Sequence, residues 1–115
     1  MAARANLQID RGATFSSDVT VTDTDGTAFD LTGYSAEAKM ALGYASTRTR
    51  VTLTTTINGD PTTGIITISL TADQTKTLEA PARYVYDVEI TKTSDSTVTR
   101  VIEGIITVSP DVTTD

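Results

Sequence analysis

From Tyr84 to Ile90 apolar and polar positions alternate: Tyr84, Tyr86, Val88 and Ile90 fall on one side, Val85, Asp87 and Glu89 on the other. A period of two sends successive side chains to opposite faces of a strand, so one face here is buried and the other is wet. A polar break, Thr91-Lys92-Thr93-Ser94-Asp95-Ser96-Thr97, leads into a second apolar-rich run from Val98 to Val108. The break is short and rich in turn formers, which predicts an antiparallel hairpin at the centre of the fold.

The same punctuation runs along the rest of the chain. Residues 1–6 are small and polar and read as an N-terminal arm, and Asn6–Asp10 alternates briefly as a first short strand. Arg11-Gly12 is a bend, and Thr14–Asp23 carries Phe15, Val19 and Val21 on one face of a second strand. Asp25-Gly26 supplies positive φ for a hairpin turn, after which Ala28–Leu31 is expected to resume the sheet. Tyr34 to Leu42 fits two periods. Tyr34, Ala36, Ala38 and Met40 alternate as in a strand, yet Ala, Glu, Lys and Met also favour helix. The flanking hairpin signals leave no room for a packed helix, so a strand is expected. Gly43 to Arg50 reads as an exposed loop.

Val51–Ile57 and Gly64–Leu70 flank Asn58-Gly59-Asp60-Pro61 and predict another hairpin. Thr71-Ala72-Asp73-Gln74 has the form of a capping box, so a short helical turn is expected near residues 72–78, stopped by Pro81. Pro110 ends the last strand, and residues 111–115 read as a C-terminal tail. Seven or so short strands with turn signals about every 10 residues predict a single all-β domain over residues 1–115, a small immunoglobulin-like antiparallel β-sandwich. A closed barrel is the second architecture with this pattern.

Composition sharpens the reading. The 115 residues suit one domain with a modest core, and Thr, β-branched and hydroxylated, is the commonest residue. There is no Cys, which removes disulfides and thiolate metal sites. A net charge of −6 and a pI near 4.4 argue against nucleic acid as a partner, which needs a concentrated basic patch. No apolar run approaches the roughly 18 residues that span a membrane. Residues 1–6 lack the apolar segment of a secretory signal, so synthesis and assembly in the cytoplasm are expected.

Candidate chemistry is sparse. With no His and no Cys, the commonest general base and the thiol nucleophile are missing, and no glycine pattern fits a phosphate loop. Asp87 and Glu89 share a strand face and could act as an acid–base pair or hold a cation. The ordinary reading outweighs both: a solvated face with Arg100 or Lys92 as cross-strand partner. Asp23, Asp25 and Asp30 surround Gly26, but their spacing does not fit a calcium loop, and an Asp-rich turn is expected. No catalytic residue, cofactor or metal ion is therefore expected. The candidate interface residues are Tyr44, Arg48 and Arg50 on the predicted loop and Arg4 in the arm, since Tyr and Arg are enriched where proteins meet.

Four segments carry a resemblance. They are Leu7 to Phe15; Val21-Thr22-Asp23-Thr24-Asp25-Gly26 with Asp30-Leu31-Thr32-Gly33-Tyr34; Gly64 to Leu78; and Arg83 to Val88 with Arg100 to Gly104 and Val108 to Thr113. Together they resemble a family of small virion structural proteins of tailed, cyanobacterial-type bacteriophages, and the second is similar to the N-terminal domain of phage baseplate upper proteins. The resemblance rests on fold-supporting residues and transfers no catalytic motif. It implies a non-enzymatic virion protein in multiple copies or a homo-oligomer, with other virion proteins as partners: the major capsid protein, or tail and baseplate proteins. A capsid decoration or cement protein is the first expectation, and a tail, neck or baseplate adaptor the alternative. A host-glycan-binding module using Tyr44 is more remote, and a glycosidase using Asp87 and Glu89 comes last.

Overall fold

The two longest strands are those the alternation singles out. In the computed structural model, which describes residues 3–23, 25–43 and 50–112, β7 (Ala82–Lys92) and β8 (Thr97–Ser109) form an antiparallel hairpin. Tyr84, Tyr86, Val88 and Ile90 are all buried. The register slips between Val88, which faces Ile102, and Glu89, which faces Arg100. Val101 is the extra residue of this bulge, and it lies buried beside Ile102. A run of two buried positions is thereby accommodated in a strand that otherwise alternates.

The other strands are β1 (Ala3–Arg4), β2 (Leu7–Asp10), β3 (Phe15–Thr20), β4 (Tyr34–Ala41), β5 (Val51–Ile57) and β6 (Ile65–Leu70). β4 lies against β7, and β3 against β6, both antiparallel. β5 joins the two halves: Val51–Leu53 pair with β4, and Thr54–Ile57 pair with β6. Where β5 leaves β4, the Thr55 hydroxyl donates to the Ala36 carbonyl at 2.9 Å. The sheet thus curls over on itself, and Phe15, Val19, Ile66 and Ile68 from one half share a core with Met40, Tyr86, Val88 and Ile106 from the other. The strand path ends at β3 on one side and at β1 and β2 on the other, so among the described residues the sheet does not close into a barrel.

Three expectations need correction. Ala28–Leu31 is not a strand: only Thr22 and Ala28 form an isolated bridge. The segment crosses between the halves instead, and its backbone groups are used in the crossing. The Phe29 N–H donates to the Val21 carbonyl and the Leu31 N–H to that of Pro61, each at 2.9 Å, while the Val21 N–H donates to the Gly64 carbonyl (2.8 Å). Gly64 sits at φ 70° with the Val21 and Phe29 backbones where a side chain would be. The sheet is also not purely antiparallel. β1 and β2 both run parallel to β8 in one register, from Ala3 opposite Ile102 to Asp10 opposite Ser109. The residues at 3–6, expected to be an arm, are thus docked on the β8 edge.

That docking has a specific seat. A Cβ on Gly104 would run into the Ala5 carbonyl and come within 3.1 Å of Tyr86 Cε1. The Tyr86 hydroxyl donates to the same Ala5 carbonyl at 2.6 Å, and the Asn6 Oδ1 accepts from the Ile105 N–H at 3.1 Å. Burial pushes the Tyr86 phenol up to about 12, so it stays a donor at ordinary pH.

After β6, α1 (Ala72–Lys76) carries the expected capping box: Gln74 N–H to Thr71 Oγ1, and Thr71 N–H to Gln74 Oε1. It ends before residue 78, so the expected turn is shorter than its sequence signal. Its buried Thr75 hydroxyl accepts from the Gly12 N–H (3.0 Å) and donates to the Ala13 carbonyl (2.9 Å). Arg11 reaches the Leu78 carbonyl and Asp111, each at 3.0 Å. Tyr84 accepts from the Glu79 N–H at 2.9 Å, which fixes the chain as it enters β7.

Gly104→Ala is expected to destabilise the fold by about 1–3 kcal/mol, the range for forcing atoms into a packed site. Tyr86→Phe should cost about 0.5–1.5 kcal/mol through its lost hydrogen bond. Urea unfolding of each variant checks both, and an unchanged midpoint for Gly104→Ala would show that the N-terminal segment does not occupy this seat.

Candidate functional site

The outward residues of the β1–β8–β7–β4 half form a charged row. Register places Arg4 opposite Glu103, Glu103 opposite Asp87, and Asp87 opposite Lys39. Arg100 Nε lies 3.3 Å from Asp87 Oδ2, and its Nη1 lies 3.6 Å from Glu103 Oε1. Such exposed pairs contribute only about 0–1 kcal/mol each, so their value lies in patterning the face. Asp87 therefore meets the Arg100 partner expected for it. Glu89 lies opposite Glu37 across β7 and β4. In the next row, half-buried Val85 lies between Ile105 and Ala41.

Beside this face is a depression of about 80 Å³ whose lining includes Lys39, Met40, Gly43, Arg50, Val85 and Asp87. Small-molecule sites hold roughly 300–1,000 Å³, so this one is too small to enclose a substrate. Among the described residues no three of His, Cys, Asp and Glu are grouped as a metal ion would require.

The predicted interface residues are only partly brought together. Arg50 is exposed immediately before β5, where its Nη1 donates to the Gly43 carbonyl at 3.2 Å. Arg4 is exposed on the same half, but β8, β7 and β4 lie between the two. Tyr44 and Arg48 lie outside the described residues. Lys39 was not singled out by sequence, although its outward place in the β4 alternation was visible. The row itself was not visible, because it depends on pairing residues 99 apart in β1 and β8.

The loops at the end of the sandwich distal to α1 share one piece of chemistry. In Asp25-Gly26-Thr27 the Asp25 Oδ1 accepts from the Thr27 N–H (3.1 Å) and hydroxyl (2.7 Å). Asp30 holds Thr32 in the same way, Asp60 holds Thr62, and the Asp95 Oδ1 accepts from the Thr97 N–H. These are Asx turns, in which a side chain replaces a backbone acceptor, and they are the ordinary explanation of the Asp-rich turn. The Thr27 hydroxyl, with the Thr27 N–H behind it, holds the Asp25 carboxyl below its usual value. Thr32 does the same to Asp30, and Thr97 to Asp95.

No family model and no curated protein matches the chain. Among solved structures it is similar to a chain in a crystal structure of the chicken TCR, with a TM-score of 0.57 and 10% sequence identity. The match covers 96% of this chain and 55% of that one, so the chain spans about half the length of its structural neighbour. The fold is an immunoglobulin-like β-sandwich. The Tyr84–Glu79 bond is the corner such domains make where the chain enters the strand of the central hairpin. The Cys and Trp of antibody domains are absent, and Met40, Tyr86 and Val88 help to fill the buried centre. Since 134 solved chains match, the architecture carries no function by itself.

The depressed carboxyls set a pH dependence. The folded state holds Asp25, Asp30 and Asp95 charged below the unfolded value of about 3.9, so their contribution is complete above that value and is lost as pH falls through the lower folded values. An Asp25→Asn, Asp30→Asn, Asp95→Asn variant keeps an acceptor oxygen at each turn without a titrating group. Its Tm is expected to fall less than the parent's between about pH 4 and pH 2. Parallel losses would show that the turns do not contribute.

Proposed function

We propose that this chain is a non-enzymatic structural protein of a tailed-phage particle, a head decoration or cement protein that grips repeated sites on the capsid. The observation that carries the reading is the outer face of the β1–β8–β7–β4 half. There Arg4, Glu103, Asp87 and Lys39 place both signs of charge in one row, next to half-buried Val85 and Ile105. A mixed face of this kind, with no substrate-sized cavity beside it, suits contact with another protein. The sandwich below it is held by paired strands at every layer, so it offers a rigid surface at little ordering cost. A net charge of −6 keeps crowded copies from associating at random. The virion itself enters through the sequence resemblance, and its partners are then other virion proteins.

Copy number on purified particles tests the location. Hundreds of copies per particle agree with the head, whereas a handful would replace this reading with a tail, neck or baseplate adaptor. Arg4→Glu combined with Lys39→Glu reverses both ends of the row and is expected to lower occupancy on particles several-fold while leaving Tm nearly unchanged. Full occupancy by the double variant would remove this face from the interface.

A further inference from the structure

We infer that Asn58 is a site of self-modification, at which the Gly59 backbone nitrogen displaces ammonia from the Asn58 side chain. In this step the Gly59 N–H gives up its proton, a bond forms from that nitrogen to Asn58 Cγ, and the Cγ–Nδ2 bond breaks with loss of ammonia. Water then opens the cyclic imide at either carbonyl and leaves an aspartyl or isoaspartyl residue at position 58. No other reactant is needed.

Three observations converge on this position. Asn58 and Gly59 are both exposed in the β5–β6 connection, and nothing lies within 4 Å of where a Gly59 Cβ would stand, so no neighbouring side chain or backbone crowds this peptide from that side. The Asn58 Oδ1 accepts from the Asp60 N–H at 2.9 Å. That bond draws electron density from Cγ and folds the side chain back over the Gly59 peptide. The remaining Asx turns of this end are built on Asp25, Asp30, Asp60 and Asp95, which carry no side-chain amide to lose as ammonia. Asn6, the other asparagine, is followed by Leu7, and its Oδ1 is held by the Ile105 N–H.

The product would matter locally. A new carboxylate would join a loop already bonded to residues 21–31 through the Val21–Gly64 and Leu31–Pro61 bonds. An isoaspartyl linkage would also put an extra methylene into the backbone next to the Ile57–Ile66 pair.

The test is incubation of the intact folded protein in mildly alkaline buffer, with peptide mapping by mass spectrometry and enzymatic detection of isoaspartate. Conversion is expected at position 58, rising with pH, with Asn6 intact. Gly59→Ala, which has room for its methyl and no left-handed φ to oppose it, should keep the parent Tm and slow conversion several-fold. Asn58→Asp should keep the parent Tm, whereas the isoaspartyl fraction melts lower. The inference is overturned if Asn58 persists in the folded protein while the urea-unfolded chain loses it, or if Gly59→Ala converts as fast as the parent.

Discussion

Strand β8 has both of its edges occupied, by β7 in antiparallel and by residues 3–10 in parallel, and the rest of the architecture follows from that double pairing. An edge left open there would expose a row of unpaired backbone groups. Closing it requires the N-terminal segment to approach within backbone distance, which Gly104 permits by having no side chain. Tyr86 then completes the contact from the neighbouring strand by donating to the Ala5 carbonyl. A buried tyrosine is thus satisfied, and the segment at residues 3–6 is fixed, by one hydrogen bond.

The two ends of the sandwich are held by different means. Near α1, the Thr75 hydroxyl, Arg11 and Tyr84 each bond to backbone groups far away in sequence. At the other end, Asp and Thr two residues apart close each loop on itself, and backbone bonds then tie the loops together. Much of the Thr in this chain is explained by strand faces and by these turns. Four of the fifteen acidic residues, Asp25, Asp30, Asp60 and Asp95, act as turn acceptors in this way.

An immunoglobulin-like sandwich without the usual Cys pair shows how the fold can be supported by other contacts. The tyrosine corner is kept, the sheet is continuous through β5, and aliphatic side chains with Tyr86 and Met40 occupy the middle. The result is a stiff body whose distinguishing features lie on its outer face and loops. That placement is consistent with the binding role proposed for it, because adaptation to partners is concentrated at such surfaces in folds shared this widely.

Local rules determined the hairpin of β7 and β8, the strands β3 to β6, and the capping box at Thr71 and Gln74, because each depends on periodicity or on residues within a few positions. They also determined the Asp-Thr turns in kind, and the face on which Asp87 would find Arg100. Tertiary structure alone decided the parallel docking of residues 3–10, the crossing of β5 between the halves, and the loss of a strand at Ala28–Leu31. In each of these the backbone groups are satisfied by partners distant in sequence, and nothing in the local pattern names the partner. The charged row on the outer face belongs with them. Alternation could say that Lys39 and Glu103 point outward, but only the assembled register could place them in line with Arg4.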